Sequence, residues 1–101
     1  MAIVHIVAMT FQPDTTDTVI TTLAAALDEL ALQSGAVAYR HGRDLRIRDG
    51  NADYAITAVF EDERAFRAYM ASPQHQRLIS ELVTPHLQGR STVQFVSGTS
   101  R

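Results

Sequence analysis

The chain opens with a run that is apolar on both side-chain parities. Ile3, Val7, Met9 and Phe11 share one parity with His5, and Ala2, Val4, Ile6 and Ala8 share the other with Thr10. A strand over residues 2–12 patterned this way is covered on both faces. The period then changes. Pro13-Asp14-Thr15-Thr16 breaks the strand and supplies helix-capping side chains. Val19, Ile20, Leu23, Ala24, Leu27, Leu30 and Ala31 recur at helical spacing as one apolar stripe, and Ser34-Gly35 is a natural C-terminal stop.

A second, less regular strand follows in AVAYRHGRDLRI at 36–47, with Asp49-Gly50 as a hairpin turn signal. DYAITAVF at 53–60 predicts a third strand, again apolar on both faces. Asp62 can cap a short helix carrying Ala65, Phe66, Tyr69 and Met70. The residue before a proline avoids helical angles, so Ser72 ends that helix and, with Pro73 at the first position, opens another. Leu78, Ile79, Leu82 and Val83 form its stripe, Pro85 ends it, and STVQFVSG at 91–98 predicts the fourth strand.

The order β-α-β-β-α-β predicts an α+β, ferredoxin-like protomer. Helices on one side leave the other face of a four-stranded sheet bare. The two-sided strands call for a further layer, and a second copy of the chain stacked sheet against sheet supplies it. A homodimer is the expected partner arrangement. The length of 101 residues suits one domain, read as residues 1–97 with a frayed tail at 98–101.

Composition narrows the function. A formal charge of −2 gives no general attraction to nucleic acid or to an anionic membrane. Arg40, Arg43, Arg46 and Arg48 cluster, but Asp44 and Asp49 interrupt them, which reads as a solvated hairpin. The chain has no cysteine, so thiol catalysis, disulfides and thiolate metal sites are excluded. No signal-peptide pattern or apolar run near ~20 residues is present, and a cytoplasmic location is expected. Glycine-rich phosphate loops, HExxH spacing and a GxSxG elbow are missing, and no metal or cofactor is called for.

The histidines carry the remaining chemistry. His5 interrupts an apolar strand, where it either satisfies a structural hydrogen bond or reacts. His41 lies near a strand end, and His86 near an exposed helix end. His75 falls at the third helical position after Ser72 and Pro73. Free N–H groups there disfavour imidazolium, so His75 is expected to titrate below an ordinary histidine. Tyr69 precedes it by six residues, about 240° around one straight helix. A bend at Ser72-Pro73 would aim both at one cavity; otherwise Tyr69 joins Phe66 and Met70 in a core stripe.

IVHIVAMTF at 3–11, GRD at 42–44 and ADYAITAVFEDERAFRAYMASPQHQ at 52–76 together resemble the stress-responsive dimeric α/β-barrel family, often called Dabb. The resemblance covers roughly residues 1–97. It implies a ferredoxin-like protomer that dimerises into a barrel. A plant polyketide cyclase of that family closes a linear polyketide by intramolecular aldol condensation, without a cofactor. Its working residues are similar to His75 as base, Tyr69 as hydrogen-bonding partner of the substrate, and His5 as an assistant in the same cavity. Ser72 stands where that enzyme has a histidine, and the region before the third strand differs in length and charge. The resemblance equally allows a small hydrophobic ligand-binding or stress-response role without catalysis, or a cofactor-independent monooxygenase. Haem-degrading relatives use tryptophan and asparagine, and this chain has no tryptophan and only Asn51.

Overall fold

The computed structural model describes residues 1–98. Strand β1 (Ile3–Phe11) is followed by α1 (Asp17–Gln33), β2 (Ala38–Arg43) and β3 (Tyr54–Phe60). Helices α2 (Glu63–Ala71) and α3 (Pro73–Leu78) come next, then β4 (Leu87–Val96). A π-helical turn at Ile79–Val83 and a 3-10 turn at Thr84–His86 join α3 to β4. The four strands form one antiparallel sheet in the order β2-β3-β1-β4. This is the ferredoxin-like βαββαβ arrangement, with the second helical segment broken in two at Ser72. The tail expected at 98–101 lies, beyond Gly98, outside the described residues.

Local chemistry sets the helix starts. Thr16, Asp62 and Ser72 each accept a hydrogen bond from the N–H three residues on, at Val19, Ala65 and His75. Such caps contribute ~1 kcal/mol each. Gly35, just past α1, takes φ +76, a conformation that glycine adopts at little cost. Ser72 has ψ 140, outside the helical region, so α3 leaves α2 at a bend.

Register decides what shares a face. His5 lies opposite Ala58 on β3 and Gln94 on β4, and Ala58 lies opposite Tyr39 on β2. Gln94, His5, Ala58 and Tyr39 therefore form one row across all four strands. The odd residues of β1 face the helices, and Leu23, Leu27 and Leu30 of α1 pack onto them with Phe60 and Val83. The opposite face carries Val4, Ile6 and Ala8, half-buried, beside Val93 and Phe95, which are about half exposed. No helix among the described residues covers that side, and the molecule is only 18 Å deep along its shortest axis, two layers thick. No helix among the described residues is long and apolar enough to cross a membrane.

Two boundaries differ from the sequence pattern. β2 stops at Arg43 rather than 47 because side chains tie off a longer loop. The Asp44 N–H donates to the Asp53 carbonyl, and its carboxylate accepts from the Arg46 N–H and the Asn51 amide. Arg46, at φ +57, pairs with Asp53, whose carboxylate also accepts from the Phe11 N–H at 2.7 Å. These bonds hold the Asp53 pKa below the usual carboxylate range. Gly50 supplies a left-handed turn at φ +85, but inside this loop rather than in a two-residue hairpin. β4 begins at Leu87, before the expected residue 91, because an exposed edge strand need not alternate.

Candidate active site

A cavity of about 90 Å³ lies between the sheet and α1, α2 and α3. Val7, Met9, Leu30 and Val83 supply apolar wall, and His5, Tyr69 and His75 supply polar atoms. Arg90, Thr92 and Gln94 on exposed β4 complete the lining, with exposed Met70 on α2, so the mouth lies between β4 and the α2–α3 bend.

His5 is buried on β1. The Gln94 amide donates to its Nδ1 at 2.9 Å, which leaves the proton of the neutral ring on Nε2. Its ring lies 5.0 Å from that of Phe66 and 6.2 Å from that of Tyr69, centre to centre. Burial lowers the His5 pKa, and the neighbouring His75 lowers it further.

Tyr69 and His75 converge. The bend at Ser72 brings their ring centres to 4.6 Å, where one straight helix would have sent them apart. Tyr69 is buried in the core as well, against Phe60 at 5.0 Å, so it belongs to both the stripe and the cavity. His75 occupies the third position of α3, its N–H bonded to Ser72 Oγ at 3.1 Å. Its ring is buried, and Nδ1 has no hydrogen-bond partner among the described residues. The His75 pKa is lowered, the expected direction for a different main reason. Burial is the largest cause; the positive charge of Arg90 adds to it, and the Met70 carbonyl opposes it. Both histidines therefore favour the neutral ring, but the Gln94 amide occupies the His5 Nδ1, so the role of base falls to His75.

The sequence of the chain matches the stress responsive A/B barrel domain family over residues 3–97. The chain belongs to that family. Among solved structures, a dimeric ferredoxin-like protein of unknown function from Thermobifida fusca is 31% identical. The alignment covers 94% of this chain and 90% of that one, with a TM-score of 0.88. A dimeric ferredoxin-like protein from Jannaschia is 25% identical over 95% of this chain and 99% of the other, with a TM-score of 0.79. A hydroxynitrile lyase from Passiflora edulis shares the fold at 16% identity and a TM-score of 0.85, over 99% and 96% of the two chains. No curated protein matches the chain.

Within this A/B-barrel domain two partners escape sequence reasoning. Tyr39 of β2 meets the Tyr69 hydroxyl at 2.8 Å, and Gln94 of β4 fixes His5. Burial and the contact with Tyr69 push the Tyr39 pKa far up, so both hydroxyls keep their protons. The detectable signal is parity: Tyr39 and Gln94 stand in the same row as His5, and small Ala58 between His5 and Tyr39 leaves room above the sheet for the Tyr69 ring.

The other histidines lie outside the cavity lining. His41 bonds the Tyr54 hydroxyl through Nδ1 and Asp28 through Nε2, both at 2.7 Å, and stacks on Tyr54. It ties β2 and β3 to α1. His86 is half-buried in the 3-10 turn, and its carbonyl accepts from the Gln12 N–H at 2.8 Å. Two of the four clustered arginines are paired locally: Arg43 with Asp17 and Arg46 with Asp53.

Proposed function

We propose that this A/B-barrel domain is a cofactor-independent acid–base catalyst of carbon–carbon bond formation beside a carbonyl. The favoured reaction is the aldol-type ring closure of a polyketide-like chain, as in olivetolic acid cyclase, which the sequence resembles at His5, Tyr69 and His75. The observation that carries this reading is the His75 ring: buried, lining an apolar cavity and lying against Tyr69.

In the proposed step, neutral His75 takes a proton from carbon between two carbonyls. Tyr69 donates a hydrogen bond to the enolate oxygen, and Tyr39 holds Tyr69 in place. The enolate carbon attacks a second carbonyl of the same molecule, and the alkoxide that forms recovers the proton from His75. No oxidant, reductant or further reactant is consumed. General-base catalysis of this kind contributes ~10²- to 10⁴-fold, and folding of the chain against apolar walls adds the proximity effect. His5, neutral and fixed by Gln94, offers its Nε2–H as an additional donor.

The cavity admits only the reacting end of such a chain, because drug-sized ligands use pockets of roughly 300–1,000 Å³. The rest would leave through the mouth at β4. The small volume also favours a second reading, in which the cavity holds a small hydrophobic ligand without turnover. The bare sheet face of Val4, Ile6, Val93 and Phe95 supports a homodimer in which a second copy covers it, giving the barrel.

The deciding experiment offers purified protein a linear poly-β-oxo acid whose ring closure, followed by loss of water and enolisation, yields a phenolic acid. It is run in oxygen-free buffer with a chelator, and product is followed by chromatography. Ring closure is expected to persist there and to be lost in His75→Gln. Oxygen-dependent product would favour the monooxygenase reading. Equal rates for wild type, His75→Gln and Tyr69→Phe would end the catalytic assignment and leave ligand binding.

A further inference from the structure

Among the described residues that line the cavity, Arg90 alone carries a fixed charge. It stands on β4 opposite Met9, on the helix-facing side of the sheet, with Thr92 and Gln94 beyond it at alternate positions along the mouth. None of the described acidic side chains forms an ion pair with it. Arg43, Arg46 and Arg67 are each paired with an aspartate or glutamate, whereas Arg40, Arg48, Arg64 and Arg77, unpaired like Arg90 among the described residues, lie outside the cavity lining. The guanidinium presents a planar set of donors suited to a carboxylate. Behind it the wall is mainly apolar, with the buried rings of His75 and Tyr69 at its inner end.

We propose that Arg90 binds the carboxylate of the substrate at the cavity mouth, so that the site selects oxo acids over their neutral derivatives. The inference rests on the reading of the cavity as a substrate site and adds the charge and polarity of what enters it. A carboxylate on Arg90 directs the apolar, carbonyl-bearing part of the molecule inward past Thr92 towards His75 and Tyr69. The positive charge holds the acid; in the empty site it also helps to keep His75 unprotonated, the form a base requires. Thr92 offers a hydroxyl along the same line, while Gln94 is already committed to His5.

Binding tests this without requiring turnover. Levulinate, a stable oxo acid, and its neutral amide are titrated into the full chain while the histidine ring resonances are followed by NMR. Levulinate is expected to bind and to shift the His75 resonances. Arg90→Gln is expected to weaken it about tenfold, and Arg90→Lys less than that, as a point charge replaces a fork. The amide should bind more weakly and be indifferent to residue 90. Because Arg90 is exposed, neither substitution disturbs the core. Failure of levulinate to bind, equal binding of acid and amide, or an unchanged affinity in Arg90→Gln overturns the proposal. If levulinate binds as expected but no ring closure is ever found, the catalytic reading fails while the carboxylate site stands.

Discussion

His41 and His75 each lie against a tyrosine beneath the helices, yet their rings are in opposite states. His41 has both nitrogens engaged at 2.7 Å, one by the Tyr54 hydroxyl and one by Asp28. His75 has a buried Nδ1 with no partner. A buried polar atom left unpaired costs ~1–3 kcal/mol, and most native structures avoid it. A His–Tyr neighbour pair alone does not mark a reactive site, since the described residues hold four, His5–Tyr69 and Tyr39–His41 among them. The difference lies in which ring has its hydrogen-bonding capacity already used.

Substitutions can break that comparison. The largest expected effect is on turnover: His75→Gln should lower ring closure by ~10²- to 10⁴-fold while the fold persists by denaturant titration. His41→Ala should do the reverse, costing ~1–3 kcal/mol in denaturant because the Tyr54 hydroxyl loses its partner, with turnover largely kept. A turnover loss in His41→Ala as deep as that in His75→Gln would erase the contrast between the two rings. Tyr39→Phe removes the hydroxyl that positions Tyr69. It should lower kcat about tenfold with little change in KM, if the bond matters chiefly when charge develops on the substrate oxygen. An equal loss in KM and none in kcat would make Tyr39 a binding residue instead.

The smallest expected effect is thermodynamic. His5 and His75 have pKa values lowered in the folded state. The unfolded chain takes up those protons at the ordinary value of ~6.5, and the folded chain only at lower pH. Below ~6.5 the unfolded state therefore binds more protons, and stability falls as acid is added until the folded pKa values are passed. Denaturation midpoints measured between neutral and mildly acidic pH should show this slope. His75→Gln should flatten it, and an unchanged slope would mean that His75 is solvated rather than buried.

Much of the fold is legible in the sequence because its determinants are local. The switch in hydrophobic period marks β1 and α1, and the caps at Thr16, Asp62 and Ser72 lie three residues from the N–H groups they serve. The end of β2 is not local, since the Asp44–Asp53 loop is closed by carboxylates reaching across it and to Phe11. The start of β4 is hidden because an edge strand exposed along almost its whole length carries little alternation. The candidate site divides in the same way. Tyr69 and His75 are joined by a visible bend, whereas Tyr39 is 30 residues from Tyr69 and Gln94 is 89 from His5. Those pairs follow from strand register, which the hydrophobic pattern constrains only by parity. The main cause of the lowered His75 pKa was likewise hidden: the helix start is visible in sequence, but the burial that dominates comes from tertiary packing.

The row Gln94–His5–Ala58–Tyr39 draws one residue from each strand. Strand side chains alternate between faces, so a slip of one residue turns every side chain of a strand over. β2 and β4 are the outer strands, each held by a single neighbour. A one-residue slip in either would carry Tyr39 or Gln94 to the open face while Phe60, Met9 and Leu23 stayed packed. The proposed ring closure would thus fall in misregistered molecules that still look folded by calorimetry, which would make turnover a finer gauge of correct sheet assembly than stability itself.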